Sequence, residues 1–327
     1  MFVDIVPTPP FRLDFTVWAL RRLPVNDMDR WDGVAFRRVL AVGSSIVEVE
    51  VTQPTAVSVT GAHPAAPSHD ADSTGLSGDT PSAGGESLRI AIRGDGNGLP
   101  PSVGREVVET LSHALGLQVD LAPFYRLAAG DERLNSLVSR FRGLKPPCLF
   151  SPFETVVNGI ACQQLSLNVG IILLNRLCAA FGPHLGEAIG FPAPEDLAGA
   201  DPDALRALGF SRRKAEAIVA MAQSVVSGEL DLEGLSRLDD QEVAERLMAV
   251  KGIGRWTAQY VALRGLGRWD VFPVDDVGGQ NKVQDWLHLA ARPQPPEMQR
   301  LLAPYAPYRG LVYFHLLLSR LQADGMW

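Results

Sequence analysis

Apolar and polar residues alternate early in this chain, and the apolar period lengthens to that of a helix after about residue 104. Within 32–53 the runs GVAFRRVLAV and SIVEVEV alternate on either side of Gly43-Ser44-Ser45, which predicts two strands joined by a tight turn. Leu88-Arg89-Ile90-Ala91-Ile92 resumes the alternation, with Gly94-Asp95-Gly96-Asn97-Gly98 as a loop. Residues 52–88 are rich in Ser, Thr, Gly, Pro and Ala and hold almost no large apolar side chain after Val59. Such a stretch cannot bury enough surface to offset its ordering entropy, so it is expected to be a disordered insertion between two strands of one sheet.

Helix signals dominate the remainder. Ser151-Pro152-Phe153-Glu154 carries an N-cap serine, a first-turn proline and an acid at the capping-box position, ahead of the stripe Val156, Val157, Ile160 and Ala161. Asp201-Pro202 opens another helix, with Gly209 past its end. Asp239 and Glu242 form a further capping box before Val243, Leu247 and Val250. The expected architecture is a mixed α+β domain over 1–120, an antiparallel sheet with helices, followed by an all-α domain over 121–327.

Composition narrows the class. Hydrophobic residues make up 46% and charged residues 20% of the 327 positions, a globular balance with no run long enough to span a membrane. The first residues lack the basic-then-apolar order of a signal peptide, and Cys148, Cys162 and Cys178 match neither a disulfide framework nor a zinc pattern. A reducing cytoplasm is the expected setting, and three cysteines exclude a four-cysteine iron–sulfur cluster within one chain. Net charge is −7, which argues against a broad basic face for nucleic acid. Asp70, Asp72, Asp79 and Glu86 lie in the insertion, where there is no Lys or Arg, so the rest of the chain is only mildly acidic. Any contact with a polyanion is then confined to helix termini and short basic clusters such as Ser211-Arg212-Arg213-Lys214.

The most informative stretch is LMAVKGIGRWTAQYVALRGLGRWDVFPVDD at 247–276. A helix ending at Val250, a turn Lys251-Gly252-Ile253-Gly254 and a second helix from Arg255 form a hairpin whose glycines leave the backbone bare. The first amides of the second helix point outward with partial positive charge, a site suited to phosphate. Alone, the pattern reads equally as a glycine-rich helix connection. It is neither a P-loop nor a dinucleotide fingerprint, because no Lys-Ser/Thr follows and no strand precedes.

With Asp270-Val271-Phe272-Pro273-Val274-Asp275-Asp276 downstream, the helix, glycine hairpin, helix, proline loop and acid resemble the helix-hairpin-helix GPD superfamily of DNA glycosylases. Within it the chain is similar to the 3-methyladenine DNA glycosylase II family, through GIGRWTA, ALRG, FRLDFTVWALRRL, RVLAVG and PFETVVNGIACQQLS. The resemblance implies a monomeric base-excision enzyme acting on damaged double-stranded DNA, with Asp276 catalytic and Asp275 in a lesser or structural part. The plain reading of either acid is a helix N-cap before Val277.

For an extruded base carrying positive charge, the resemblance implies a pocket of aromatic rings: Trp256 and Tyr260 on one helix face, Tyr308 where the family carries a tryptophan, and Gln164 nearby. It assigns Leu165 as a wedge in the vacated stack, and Gly252, Gly254, Thr257, Lys251 and Arg255 to the DNA backbone. Core packing is the alternative for the rings, and a polar helix break with a core leucine for the wedge. No cofactor is expected beyond a monovalent cation on the carbonyls of Met248, Val250 and Ile253. Bifunctional relatives place a Schiff-base lysine two residues past the second hairpin glycine; Trp256 stands there, which implies a monofunctional enzyme. Two other readings stay open at this point, a hairpin DNA-binding protein without catalysis and a glycosylase for uncharged lesions.

Overall fold

The structure, a computed structural model, describes residues 1–54, 87–94, 96 and 98–326. Strands β1 (Phe2–Ile5), β2 (Arg30–Trp31), β3 (Ala35–Val42), β4 (Ser45–Thr52) and β5 (Leu88–Gly94) form one antiparallel sheet in the order β1-β5-β4-β3-β2. The turn is tighter than the sequence suggests: Val42 pairs with Ser45, leaving only Gly43 and Ser44 in the loop, with Gly43 at φ +56°. Gly94 also belongs to the sheet, opposite Val47. The edge strands β1 and β2 are too short to show an alternating pattern, and sequence reading missed both. The disorder expected for 52–88 falls on residues outside those described, apart from the two ends, where Thr52 pairs with Arg89 on neighbouring strands.

Helix α1 (Leu13–Arg21) and α2 (Pro101–Ala114) accompany the sheet, followed by α3 (Ala122–Ala129), α4 (Glu132–Arg140), α5 (Pro152–Cys162) and α6 (Leu167–Phe181). A two-strand ribbon, β6 (His184–Leu185) and β7 (Ala188–Ile189), then lies against β3 and β4, a small departure from an all-helical second part. Helices α7 (Pro194–Ala198), α8 (Pro202–Ala207), α9 (Arg212–Val226), α10 (Asp240–Met248), α11 (Arg255–Arg264), α12 (Val277–Leu287), α13 (Pro295–Leu302) and α14 (Arg309–Ala323) complete the chain.

Two apolar cores result. One joins the inner faces of β3, β4 and β5 to Leu13, Val17 and Leu20 of α1 and to Val107 and Leu111 of α2. The larger one gathers the helical part and takes in Trp18 and Ala19 from the other face of α1. Because α1 is apolar nearly all round, it is buried between the two.

Ser151 caps α5 by accepting the Glu154 amide at 3.0 Å, but Glu154 does not return the bond. Its carboxylate turns inward to Arg38 of β3 at 2.6 Å, and Arg38 reaches Asp29 at 2.5 Å. The guanidinium also lies 3.9 Å above the Phe150 ring, and all three charged groups are almost fully buried. The capping box expected at Asp239 is complete, with Asp239 accepting from the Gln241 and Glu242 amides and Glu242 accepting from Asp239 N–H. Asp201 caps α8 as expected, and Gly209 follows it at φ +110°.

Candidate active site

A cleft of about 970 Å³ opens where the end of α5, the start of α9, the hairpin, the start of α12 and one face of α14 converge. Helix α10 stops at Met248, two residues before the end that its apolar pattern suggests, and the turn runs through Ala249 to Gly252. Gly252 stands at φ +97°, and a Cβ there would lie 2.9 Å from Ala217 Cβ on α9. Gly254 is extended at φ −105°, and a Cβ there would meet nothing within 4 Å. One glycine is thus required by the fold, while the other leaves open space outside α11. Gly252→Ala is expected to cost more than about 1 kcal/mol in urea unfolding, and Gly254→Ala to leave the midpoint nearly unmoved.

No side chain caps α11, and its first returning bond is Ala258 N–H to Gly254 O at 3.0 Å. The amides of Arg255, Trp256 and Thr257 therefore precede the helix's own ladder, beside exposed Lys251. Arg255 contributes less free charge than its sequence position suggests. It forms a two-bond ion pair with Asp275, at 2.5 and 2.6 Å, which joins α11 to the proline loop. Thr257 borders the cleft with a buried side chain. Its hydroxyl accepts Gln163 Nε2 at 2.8 Å, and the same amide group donates to Gly252 O at 3.1 Å.

Asp276 is the N-cap of α12, accepting the amides of Gly278 and Gly279 at 3.2 and 3.0 Å, and it also lines the cleft. The capping and cleft-facing readings of this acid are compatible. Trp256 and Tyr260 line the same space with ring centroids 5.3 Å apart and planes 23° from parallel. Behind them, Arg22 donates to Tyr260 Oη and Asn158 Oδ1, each at 3.0 Å, and Tyr260 Oη donates to Asn158 Oδ1 at 2.9 Å. Burial pushes the Tyr260 hydroxyl up from its ordinary value, against the pull of Arg22 and Arg264.

Tyr308 is not a cleft residue. It precedes α14 and packs on Phe124, with ring centroids 5.9 Å apart, while Tyr313 and Leu317 present the cleft face of that helix. Since Tyr313 and Leu317 are spaced i, i+4, they share a face that Tyr308 cannot join. Sequence reading missed both, and it missed Arg22, whose place in the cleft depends on the packing of α1. Burial, with the nearby Asp276 charge second, pushes the Tyr313 hydroxyl well above its ordinary range.

The joint between α5 and α6 projects at the rim. Gln164 there has φ +54°, and Leu165 beside it is 43% exposed, unusual for a large apolar side chain. Lys214 secures the joint from below by donating to Ala161 O at 2.8 Å and Gln163 O at 2.7 Å. Its amine is therefore occupied, and Arg212 and Arg213 are the exposed cations of that cluster.

A cleft lined by Asp276, its ion-paired neighbour Asp275 and a stacked pair of rings, beside a bare glycine hairpin, is the arrangement expected of the helix-hairpin-helix class of DNA repair enzymes. The sequence profile of the HhH-GPD superfamily of base excision DNA repair proteins matches residues 157–307. DNA-3-methyladenine glycosylase 1 of Schizosaccharomyces pombe is 30% identical over 197 residues, 59% of this chain and 83% of that protein. The 3-methyladenine DNA-glycosylase from Archaeoglobus fulgidus superposes with a TM-score of 0.77 at 26% identity, covering 97% of each chain. The Schizosaccharomyces pombe 3-methyladenine DNA glycosylase Mag1, solved in complex with abasic DNA, gives a TM-score of 0.54 at 29% identity over 61% of this chain and 96% of its own. The chain belongs to the HhH-GPD superfamily and is a DNA glycosylase of base excision repair.

Proposed function

We propose that this glycosylase extrudes alkylated, positively charged purines such as 3-methyladenine and releases them by hydrolysis, leaving an abasic site. One observation carries the reading: the Asp276 carboxylate and the stacked Trp256–Tyr260 pair share a single cleft behind the hairpin. Extruding a nucleotide costs roughly a few kcal/mol, and least for a damaged base. Leu165 is exposed at the rim, where it would fill the vacated stack, with Gln164 beside the opposite strand. The bare amides after Gly254, with Lys251, would hold the flanking phosphate.

Cleavage proceeds through an oxocarbenium-like sugar, which a carboxylate at C1′ stabilises while taking a proton from the incoming water. A base alkylated on a ring nitrogen leaves as a neutral molecule without being protonated, so a single acid is sufficient. The Trp256 ring, with the buried Tyr260 ring stacked behind it, suits such a cation, at about 0.5–2 kcal/mol. The carbonyls of Met248, Val250 and Ile253 would hold a monovalent cation. Met248 closes α10, Val250 lies in the turn and Ile253 sits between the hairpin glycines; their neutral oxygens are a donor set that fits such an ion, although Val250 O also accepts Ile253 N–H at 3.1 Å. A cation there would add positive charge to the phosphate site.

Trp256 at the Schiff-base position supports monofunctional chemistry. Duplexes carrying 3-methyladenine or 7-methylguanine are expected to lose the base and retain an unbroken strand, with no protein–DNA adduct on borohydride treatment. A trapped adduct would refute the hydrolytic reading, and failure to release either base would refute the substrate reading.

A further inference from the structure

The cleft holds a cation that the mechanism above leaves unused. Lys282 lies on α12 at i+4 from Gly278, and therefore on the same face. A Cβ at Gly278 would stand 3.4 Å from Lys282 Nζ and 3.5 Å from Asp276 Oδ1, so ammonium and carboxylate flank that bare backbone from two sides. Among the described residues Lys282 has no hydrogen bond or ion pair, while its side chain lines the cleft beside Asp276 and Tyr313. A half-buried cation without a partner is costly, and retaining one beside a reacting acid calls for a chemical reason.

We propose that Lys282 is a second catalytic residue, the general acid that protonates a departing base carrying no charge of its own. The inference rests on the assignment of Asp276 and concerns how an uncharged purine, for which hypoxanthine serves as the probe, would leave this cleft. As the bond from C1′ to the base breaks, the bonding pair leaves with the base, and a Lys282 N–H proton moves to a purine ring nitrogen. Water adds its oxygen to C1′ and gives a proton to Asp276, which solvent or the neighbouring amine then takes up. The products are the neutral base and the abasic sugar, with no other reactant. A base that is already cationic gains nothing from this donor and is repelled by it.

Electrostatics agree with the geometry. Burial holds the Lys282 amine below the usual lysine range, opposed by Asp276 and Asp324 and reinforced by Arg320. Lining the spaces around it are Asp285 on α12, His288 at the C-cap of that helix, Glu132, Arg133 and Arg140 on α4, and Tyr313 on α14. A lower value brings the amine toward neutral pH, where a general acid is most effective.

The experiment is single-turnover release from hypoxanthine and 7-methylguanine duplexes by wild type, Lys282→Met and Lys282→Arg, with unfolding midpoints as the check on folding. Lys282→Met is expected to lower the ratio of hypoxanthine to 7-methylguanine release by about 100-fold or more. In wild type, hypoxanthine release should fall as pH rises through the amine's titration. That limb should vanish in Lys282→Met and move to higher pH in Lys282→Arg. An unchanged ratio overturns the proposal, because a residue that only supports Asp276 or the fold would affect both bases alike. Wild type that releases 7-methylguanine but not hypoxanthine also overturns it, while the substrate reading stands. Release of neither base sinks that reading as well.

Discussion

Asp276→Asn is expected to abolish base release, by about a thousand-fold or more, while leaving the protein folded and able to bind abasic DNA. The separation is possible because Asp276 has two roles. As the N-cap of α12 it accepts the amides of Gly278 and Gly279, and asparagine is an equally good cap. As a charge beside C1′ it cannot be replaced by a neutral amide, and loss of one preorganised electrostatic partner typically costs a hundred- to a thousand-fold before any loss of base catalysis is added. The surroundings keep the carboxylate in place: a Cβ at Gly279 would sit 3.2 Å from Asp276 Oδ2 and 3.1 Å from Phe272 Cε1. Single-turnover kinetics on an alkylated duplex, with a binding titration on abasic DNA, test both halves. A residual rate within tenfold of wild type would remove Asp276 from the chemistry.

The largest effect on stability is expected at Arg38, which does not line the cleft. Arg38 sits on β3 between Asp29 and Glu154, with all three groups sealed from water. Arg38→Met would leave two buried carboxylates without their partner, a change that costs about 3–5 kcal/mol. Urea unfolding at neutral pH is the measurement, and a loss below about 1 kcal/mol would mean that water reaches the site. Burial pushes the Glu154 carboxyl up from its ordinary value, although Arg38 pulls it back. The pair fixes the start of α5 to the sheet, and the other end of α5 leads into the rim joint that carries Leu165. Arg38→Met is therefore expected to lower the unfolding midpoint far more than Asp276→Asn.

Local chemistry made much of this readable in the sequence. The β3–β4 hairpin, the caps at Ser151, Asp201 and Asp239, and the glycine hairpin are set by residues close together in the chain, so their signals survive without tertiary context. The cleft was legible to the extent that it depends on α11 and the residues just after it. Trp256, Tyr260 and Asp276 all line it, and so do Gln164 and Leu165. Reading failed where a side chain had two credible uses and only packing chooses between them. Tyr308 and Tyr313 are both aromatic and near the same helix start, but only the face of α14 decides which one meets the cleft. Glu154 looked like a capping acid because nothing local shows Arg38 waiting across the core. Arg255 and Lys214 read as free cations, yet each is held by a partner distant in sequence. Lys282 carries no local signal of its own, because only the packing of α12 shows that its amine reaches back beside Gly278.

Beneath the rim joint, the Lys214 amine holds two carbonyls of the α5 end, and Gln163 ties that same segment to the hairpin through Gly252 and Thr257. The clamp on the phosphate chain and the lever at Leu165 are accordingly parts of one stiff bracket. When such a bracket closes on a duplex it has little give of its own. The strain of insertion then falls on the DNA, which yields most easily where its stacking is already impaired.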